Sequence, residues 1–438
     1  MLFNIPVSFI VIFSLAVIII LSRFFKNLHI PVTAGAFFIP LVCGVSLTDT
    51  LQAVKFSLTS LNNILLITVM VLIIILSSQM SETGFMKKLV ESVRIKVNQK
   101  TAVALLPALI GLLPMPGGAL FSAPLVQDCD RNNIPSLKKT NINFWFRHIW
   151  EYWWPLYPGV LLAIDITGLN TGVFILTLMP LTLFSVGTGY FFLLKKLPPP
   201  KKELNTHSQR INNKTDKITY LLSPLFVIIA VYAVIRIFFP TIPQINKYLP
   251  MLTGIVSAVI YLQFLQPLSP DQWKKIILSP RLINLALLIL LIRMYGAFLE
   301  IKLPSGLSPV ETMRNEFVHL SIPLYAVIII LPFICGITTG LAVGFVGASF
   351  PIVFMMLGES PSVQTLMTAS VLAYGFGYLG MLLSPVHVCL IVSNKHFRTN
   401  LFHSIKKLIL PASVMALLIL IYAALIHFCM PLFLTFLN

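Results

Sequence analysis

Residues Gly111–Pro124 read GLLPMPGGALFSAP. The run is apolar, yet Pro114, Pro116 and Pro124 each remove a backbone donor, and Gly111, Gly117 and Gly118 loosen the chain between them. An uninterrupted transmembrane helix is not written this way. Non-helical backbone at membrane depth persists only where protein buries it or a watery cavity solvates it. The stretch reads as a re-entrant hairpin whose tip helps to form a transport site, or else as a kinked helix or a turn between two helices.

The surrounding composition decides whether this stretch lies in a membrane. Of 438 residues, 57% are hydrophobic and 10% charged, the balance of a polytopic membrane protein and not of a soluble domain. The first apolar run, Ile5–Leu21, lacks a basic start and a small-residue cleavage site, so it reads as a retained span. The net charge is +17, which in a soluble chain would suggest nucleic acid. Here the basic residues fall in short loops, as they do in loops facing an anionic inner leaflet, so the expected partner is the lipid bilayer and not nucleic acid. Cys43, Cys129, Cys335, Cys389 and Cys429 form no CxxC pair, and neither a disulfide nor a metal site is expected. There is no GKS/T phosphate loop, HExxH or GxSxG, so an enzyme is not expected and no resident cofactor is called for.

Working outward, the broken stretch is flanked by Lys87, Lys88, Arg94, Lys96 and Lys100 on one side and by Arg131, Lys138 and Lys139 on the other. Basic flanks on both sides place both ends on the cytoplasmic face, which favours a hairpin over one full crossing. Residues 142–165 carry Pro155, Pro158 and Gly159 and read as a discontinuous helix. Residues 196–217, with PPPKKEL and several asparagines, read as a cytoplasmic linker. Beyond it, Gly336, Gly340, Gly344 and Gly347 break a second apolar run, and Gly375, Gly377, Gly380 and Pro385 interrupt the segment after that.

The two halves echo one another. Thr33-Ala34-Gly35 resembles Leu252-Thr253-Gly254, Leu47-Thr48-Asp49 resembles Leu268-Ser269-Pro270-Asp271, and Leu58-Thr59-Ser60 resembles Leu278-Ser279-Pro280. These pairs keep one order and lie about 220 residues apart. With the basic segments held in the cytoplasm, the halves run in opposite directions. The expected fold is therefore all-α and polytopic, with two inverted-topology repeats at 1–195 and 218–438. Each repeat holds a re-entrant hairpin and a discontinuous helix, giving about ten full spans plus two hairpins. The expected location is a cell inner membrane, multi-pass, with both termini outside.

Broken helices offer N–H groups to anions and carbonyls to Na⁺. The candidate substrate residues are accordingly Gly117, Gly118, Ser122, Thr338, Thr339 and Gly340, with Arg293 and His387. Arg293 stands inside an apolar span, where an arginine faces a cavity or a partner, or snorkels outward. Glu151, His148, Ser349 and Ser384 are the candidates for ion coupling. Two other readings apply: the glycines pack helices and the hydroxyls bond backbone carbonyls, while Arg147, His148 and Glu151 sit in an interfacial aromatic belt with Phe144, Trp145, Phe146, Trp150, Trp153 and Trp154.

Three motifs, PMPGGALFSAP at 114–124, WWPLYPG at 153–159 and GYLGMLLSPVHVCL at 377–390, resemble the ion-transporter superfamily of citrate, gluconate, dicarboxylate and arsenite permeases. They resemble most an uncharacterised branch of integral membrane proteins with a domain of unknown function. The resemblance implies inward and outward states, coupling to Na⁺ or H⁺, and a homodimer. It maps hairpins onto 103–127 and 327–353 and discontinuous helices onto 142–165 and 368–392. Where dicarboxylate carriers of the superfamily have Ser-Asn-Thr tips, this chain has Gly117-Gly118 and Thr338-Thr339-Gly340. The SPVH run resembles the gluconate and dicarboxylate side, which favours organic anions. The expected function is a secondary active transporter of a small anionic solute. The alternatives are an uncoupled channel or arsenite-type exporter, and a membrane scaffold. Gly117→Leu is expected to abolish solute flux in proteoliposomes while leaving membrane insertion intact; wild-type flux in that variant would remove the first tip from the site.

Overall fold

The computed structural model describes residues 5–25, 27–94, 97–114, 118–130, 134–195, 197 and 218–437, and every regular element in it is helical. Gly117, the basic residues Lys26, Lys96 and Arg131, and the 196–217 linker apart from Leu197 lie outside the described residues.

The first half comprises α1 (Val7–Phe24), α2 (His29–Cys43), α3 (Leu47–Thr59), α4 (Leu61–Glu82), α5 (Phe85–Arg94), α6 (Gln99–Gly111), α7 (Ala119–Asp128), α8 (Ser136–Arg147), α9 (Pro158–Thr167) and α10 (Thr171–Gly189), which ends in a wider π turn through Leu194. The second half comprises α11 (Ile218–Leu221), α12 (Ser223–Phe238), α13 (Thr241–Ile245), α14 (Leu249–Leu265), α15 (Pro270–Ile277), α16 (Pro280–Glu300), α17 (Pro309–His319), α18 (Leu324–Thr339), α19 (Ala342–Met355), α20 (Val363–Leu382), α21 (Val388–Phe397) and α22 (Leu401–Leu437). Among the described residues, 6 helical stretches are long and apolar enough to cross a membrane, and α2, α6, α9, α12, α14, α18 and α19 are shorter apolar helices. The chain is thus an all-α polytopic membrane protein.

The helix ends follow from local chemistry. Ser46 caps α3 by accepting from the Asp49 N–H. Ser269 and Gln272, and Ser308 and Glu311, form reciprocal capping boxes on α15 and α17. The α1 N-terminus is capped from far along the chain: the Glu316 carboxylate on α17 accepts from the Val7 and Ser8 N–H groups at 2.9 and 2.7 Å, where a negative charge also meets the helix dipole favourably. Gly340 closes α18 in the left-handed conformation (φ 62°), returning its N–H to the Gly336 carbonyl. Pro158 opens α9 at a first-turn position, where its missing donor costs nothing. The run 85–94, part of the basic flank in sequence, forms a helix that buries Phe85, Met86 and Leu89.

Neighbouring helices exchange partners between the halves. α2 packs on α16 and α14 on α4; α3 packs on α16 and α15 on α4; α9 packs on α19 and α21 on α7. Within each half, α6, α7 and α8 form one packed group, as do α18, α19 and α20. The α18–α20 crossing depends on glycine: a methyl group at Gly336 would overlap the Gly377 carbonyl, and one at Gly380 would overlap the Phe333 carbonyl. Backbone cannot yield as a side chain can. Gly336→Ala is therefore expected to destabilise the protein by about 1–3 kcal/mol, read as a lowered melting temperature in detergent. Gly187→Ala, where an added methyl meets nothing within 4 Å, is the matched control.

Candidate functional site

The two chain breaks after α8 and α20 meet in the protein interior. α8 stops at Arg147, and a run of turns from His148 to Tyr157 leads into α9. α20 stops at Leu382, and Ser384-Pro385 leads into α21, whose cap is His387. His148 and His387, one from each break, stack edge to face with ring centroids 4.8 Å apart, and Phe144 packs against both. Arg147, His148, Glu151 and His387 are all buried, as are Phe144, Trp145 and Phe146. These groups are packed inside the protein, whereas Trp150, Trp153 and Trp154 are half-buried. α8 ends at Arg147, and the Glu151 carboxylate in the turns beyond faces His148, with Oε1 3.9 Å from Nε2.

Each break supplies donors to backbone carbonyls that helix ends leave open. The hydroxyls of Tyr374 and Tyr378 on α20 donate to the carbonyls of Glu151 and His148 at 2.6 and 2.7 Å. Trp150 and Trp154 donate to the carbonyls of Ala108 and Leu112 at the end of α6, and Tyr157 donates to that of Gly111. Ser384 donates to the Ile337 carbonyl at the end of α18, 2.6 Å away. These carbonyls thus have protein donors.

The candidate residues fall into distinct settings. Gly118 lies against the Arg147 guanidinium, and a methyl group there would strike it. Gly340 lies against Ser384 and the backbone of His387, so the second tip touches the second break. The Ser122 hydroxyl is buried and has no hydrogen-bond partner among the described residues. Thr338, Thr339 and Ser349 donate to carbonyls of their own helices, at 2.7 Å to Ile334, 2.7 Å to Cys335 and 2.6 Å to Phe345. That is the backbone-bonded alternative for these hydroxyls.

Arg293 stands apart from this centre. Its Nη1 donates to Asp165 Oδ2 at 2.7 Å and its Nε to Asn63 Oδ1 at 2.7 Å. Lys247 Nζ lies 2.6 Å from the other Asp165 oxygen, to which Tyr248 also donates. Beside this cluster is a cavity of about 400 Å³ lined in part by Asn63, Asp165, Arg293 and Glu300. Sequence reading found Arg293 but passed over Asp165, a lone carboxylate closing the apolar run GVLLAID, which is itself a signal of a buried partner.

Among the described residues, one group has metal-ligand chemistry: the donor atoms of His148, His387 and Cys389 lie within 4.8 Å of one another. The two imidazoles and a thiol suit a soft divalent ion. Two features oppose one: the adjacent Arg147 guanidinium, and the His387 Nδ1 already accepting from the Cys389 N–H at 3.2 Å.

Fold and site together define an integral, multi-pass, all-α membrane protein whose helix breaks converge on buried polar groups. Residues 7–426 match the family described as protein of unknown function DUF401, and the chain belongs to that family. No curated protein matches the chain.

Removing one of the tyrosine hydroxyls should expose the cost of an unsatisfied break. Tyr374→Phe leaves the Glu151 carbonyl without its donor and is expected to cost about 1–3 kcal/mol, measured as lost thermal stability in detergent; unchanged melting would mean that the hydroxyl does not support the break.

Proposed function

We propose that the protein is a secondary active transporter that moves a small anionic solute by alternating access, coupled to H⁺ or Na⁺. The observation that carries this reading is the exchange of partners between the halves: α2 with α16 against α14 with α4, and α9 with α19 against α21 with α7. Two halves related by a two-fold axis in the membrane plane would pack in this way. On this reading residues 1–195 and 218–438 are inverted repeats joined by a cytoplasmic linker at 196–217. α6–α7 and α18–α19 are hairpins from opposite faces, and α8–α9 and α20–α21 are the discontinuous helices. The span count is then about ten plus the two hairpins. Both termini lie outside an inner membrane, and the functional unit is a homodimer.

An anionic solute is supported by the company the breaks keep. Arg147, His148 and His387 are buried together, and the N-terminal ends of α7 and α21 lie close by, where helix dipoles favour negative charge. Gly118, Ser122 and Gly340 would let a solute approach the backbone. Proton coupling is the better supported form. The hydroxyls of Thr338, Thr339, Ser349 and Ser384 are engaged with carbonyls, whereas Glu151 and His148 form a buried titratable pair suited to carrying a proton.

Counterflow in proteoliposomes loaded with small organic anions tests this. The expected result is trans-stimulated exchange, with accumulation driven by an imposed proton gradient without Na⁺. Glu151→Gln is expected to keep exchange and lose proton-driven accumulation. Flux without trans-stimulation would point to a channel or an arsenite-type exporter. No flux, together with no anion-dependent thermal stabilisation, would point to a scaffold.

A further inference from the structure

The end of α9 is tied to its surroundings by charge. Asp165, two residues before α9 ends, is joined by Arg293 to α16, by Lys247 and Tyr248 to the corner before α14, and through the Arg293–Asn63 bond to α4. Asn63 passes the connection on to the Ser57 carbonyl of α3 at 3.0 Å. The corresponding end of α21 is tied differently. There Asn394 donates to Leu390 at 2.8 Å and accepts from Thr399 and Ser404 at 2.8 and 2.7 Å, all within one stretch of chain and without charge.

The cations are more accessible than the acid they hold. The side chains of Lys247 and Arg293 are 49% and 28% exposed, and that of Asp165 is 5% exposed. Arg293 lines the cavity of about 400 Å³, whose walls are mixed: Phe56, Ile166, Phe354, Met355 and Leu366 form an apolar side, and Ser57, Asn63, Asp165 and Thr167 a polar one. Glu300, which also lines the cavity, follows Arg293 by two turns on α16, about 10 Å along the axis.

We propose that this cavity receives a singly charged carboxylate with an apolar body, which takes the place of Asp165 on Arg293 and so releases α9 from α16 and α4. The inference rests on the transporter reading above and adds to it a gate and a solute class. Replacing one carboxylate by another keeps the guanidinium paired throughout, whereas opening the pair with nothing in exchange would strand a desolvated charge. Asp165, once displaced, retains Lys247 and Tyr248. The carboxylate would take the polar side at Arg293 and an apolar body the side of Phe56, Phe354, Met355 and Leu366, and Glu300 repels a second negative charge in the same space.

The test is benzoate binding to the full-length protein in detergent, with chloride exchanged for benzoate at constant ionic strength and melting temperature as the readout. Wild type is expected to show saturable stabilisation. Asp165→Asn, which removes the competing carboxylate, is expected to bind about tenfold tighter. Arg293→Gln is expected to lose the saturable response. Lys247→Met, which removes the same charge, keeps it, so a response to the general field and a site on Arg293 give different results. Succinate binds more weakly than benzoate to wild type and gains in Glu300→Gln. The proposal is overturned if wild type does not respond, if Asp165→Asn binds no tighter, or if Lys247→Met loses the response as fully as Arg293→Gln. Should Asp165→Asn fold too poorly to titrate, the comparison of the two cation variants decides. Coupled flux without benzoate binding removes the gate and leaves the transporter; benzoate binding with these variant effects but no flux does the reverse.

Discussion

Everything in this structure answers to one constraint: a backbone carbonyl or N–H inside a membrane must find its partner within the protein. Four interruptions in apolar helices create such orphans. Three of them are closed by side chains from another interruption or a packed helix, and the break after α20 by its own Ser384 and His387, which accept from the Val386 and Cys389 N–H groups. Tyrosines of α20 serve the break after α8. Tryptophans and a tyrosine from that break serve the end of α6, and Ser384 serves the end of α18. The consequence is mechanical as well as energetic. The tryptophans and Tyr157 tie the break after α8 to α6, Ser384 ties the break after α20 to α18, and Tyr374 and Tyr378 tie the two groups to each other.

Glycine sets how close those groups come. Gly336 and Gly380 let α18 and α20 meet backbone to backbone, and Gly118 lets α7 approach the Arg147 guanidinium. In lipid, where apolar surfaces gain nothing by leaving solvent, close approach of this kind is a main source of helix association. The same glycines that read in the sequence as tips of a binding site therefore also serve as packing surfaces. Gly340 does both, since its left-handed φ turns the chain while its open face meets Ser384 and His387.

Much of the architecture was legible because it rests on residues with strong local effects. Pro158, Pro385 and Gly340 lie at helix ends, although Pro124 of the opening stretch is accommodated inside α7, and the capping serines of α3 and α15 mark helix starts within a residue or two. What could not be read was which groups meet. Arg147, His148 and Glu151, set among tryptophans, carry the composition of a membrane interface, and only the return of α20 and α21 over them makes them core. Asp165 was passed over for a related reason. At the end of an apolar run it looks like a boundary residue, and its three partners lie 82 or more positions away in the chain. Local chemistry decides where helices end; long-range pairing decides what those ends face.

The ends of α9 and α21 are held by different bonds. Asp165 on α9 is held by Arg293 and Lys247, whereas Asn394 on α21 makes neutral amide and hydroxyl bonds, with the buried Lys139–Asp130 pair beside it over Phe397. Ionic ties are strong when desolvated but depend on keeping a partner, while neutral hydrogen bonds are weaker and exchange readily with water. The tie at Asp165 is therefore the one that a competing charged group can exchange, and the bonds of Asn394 are open to exchange with any polar group.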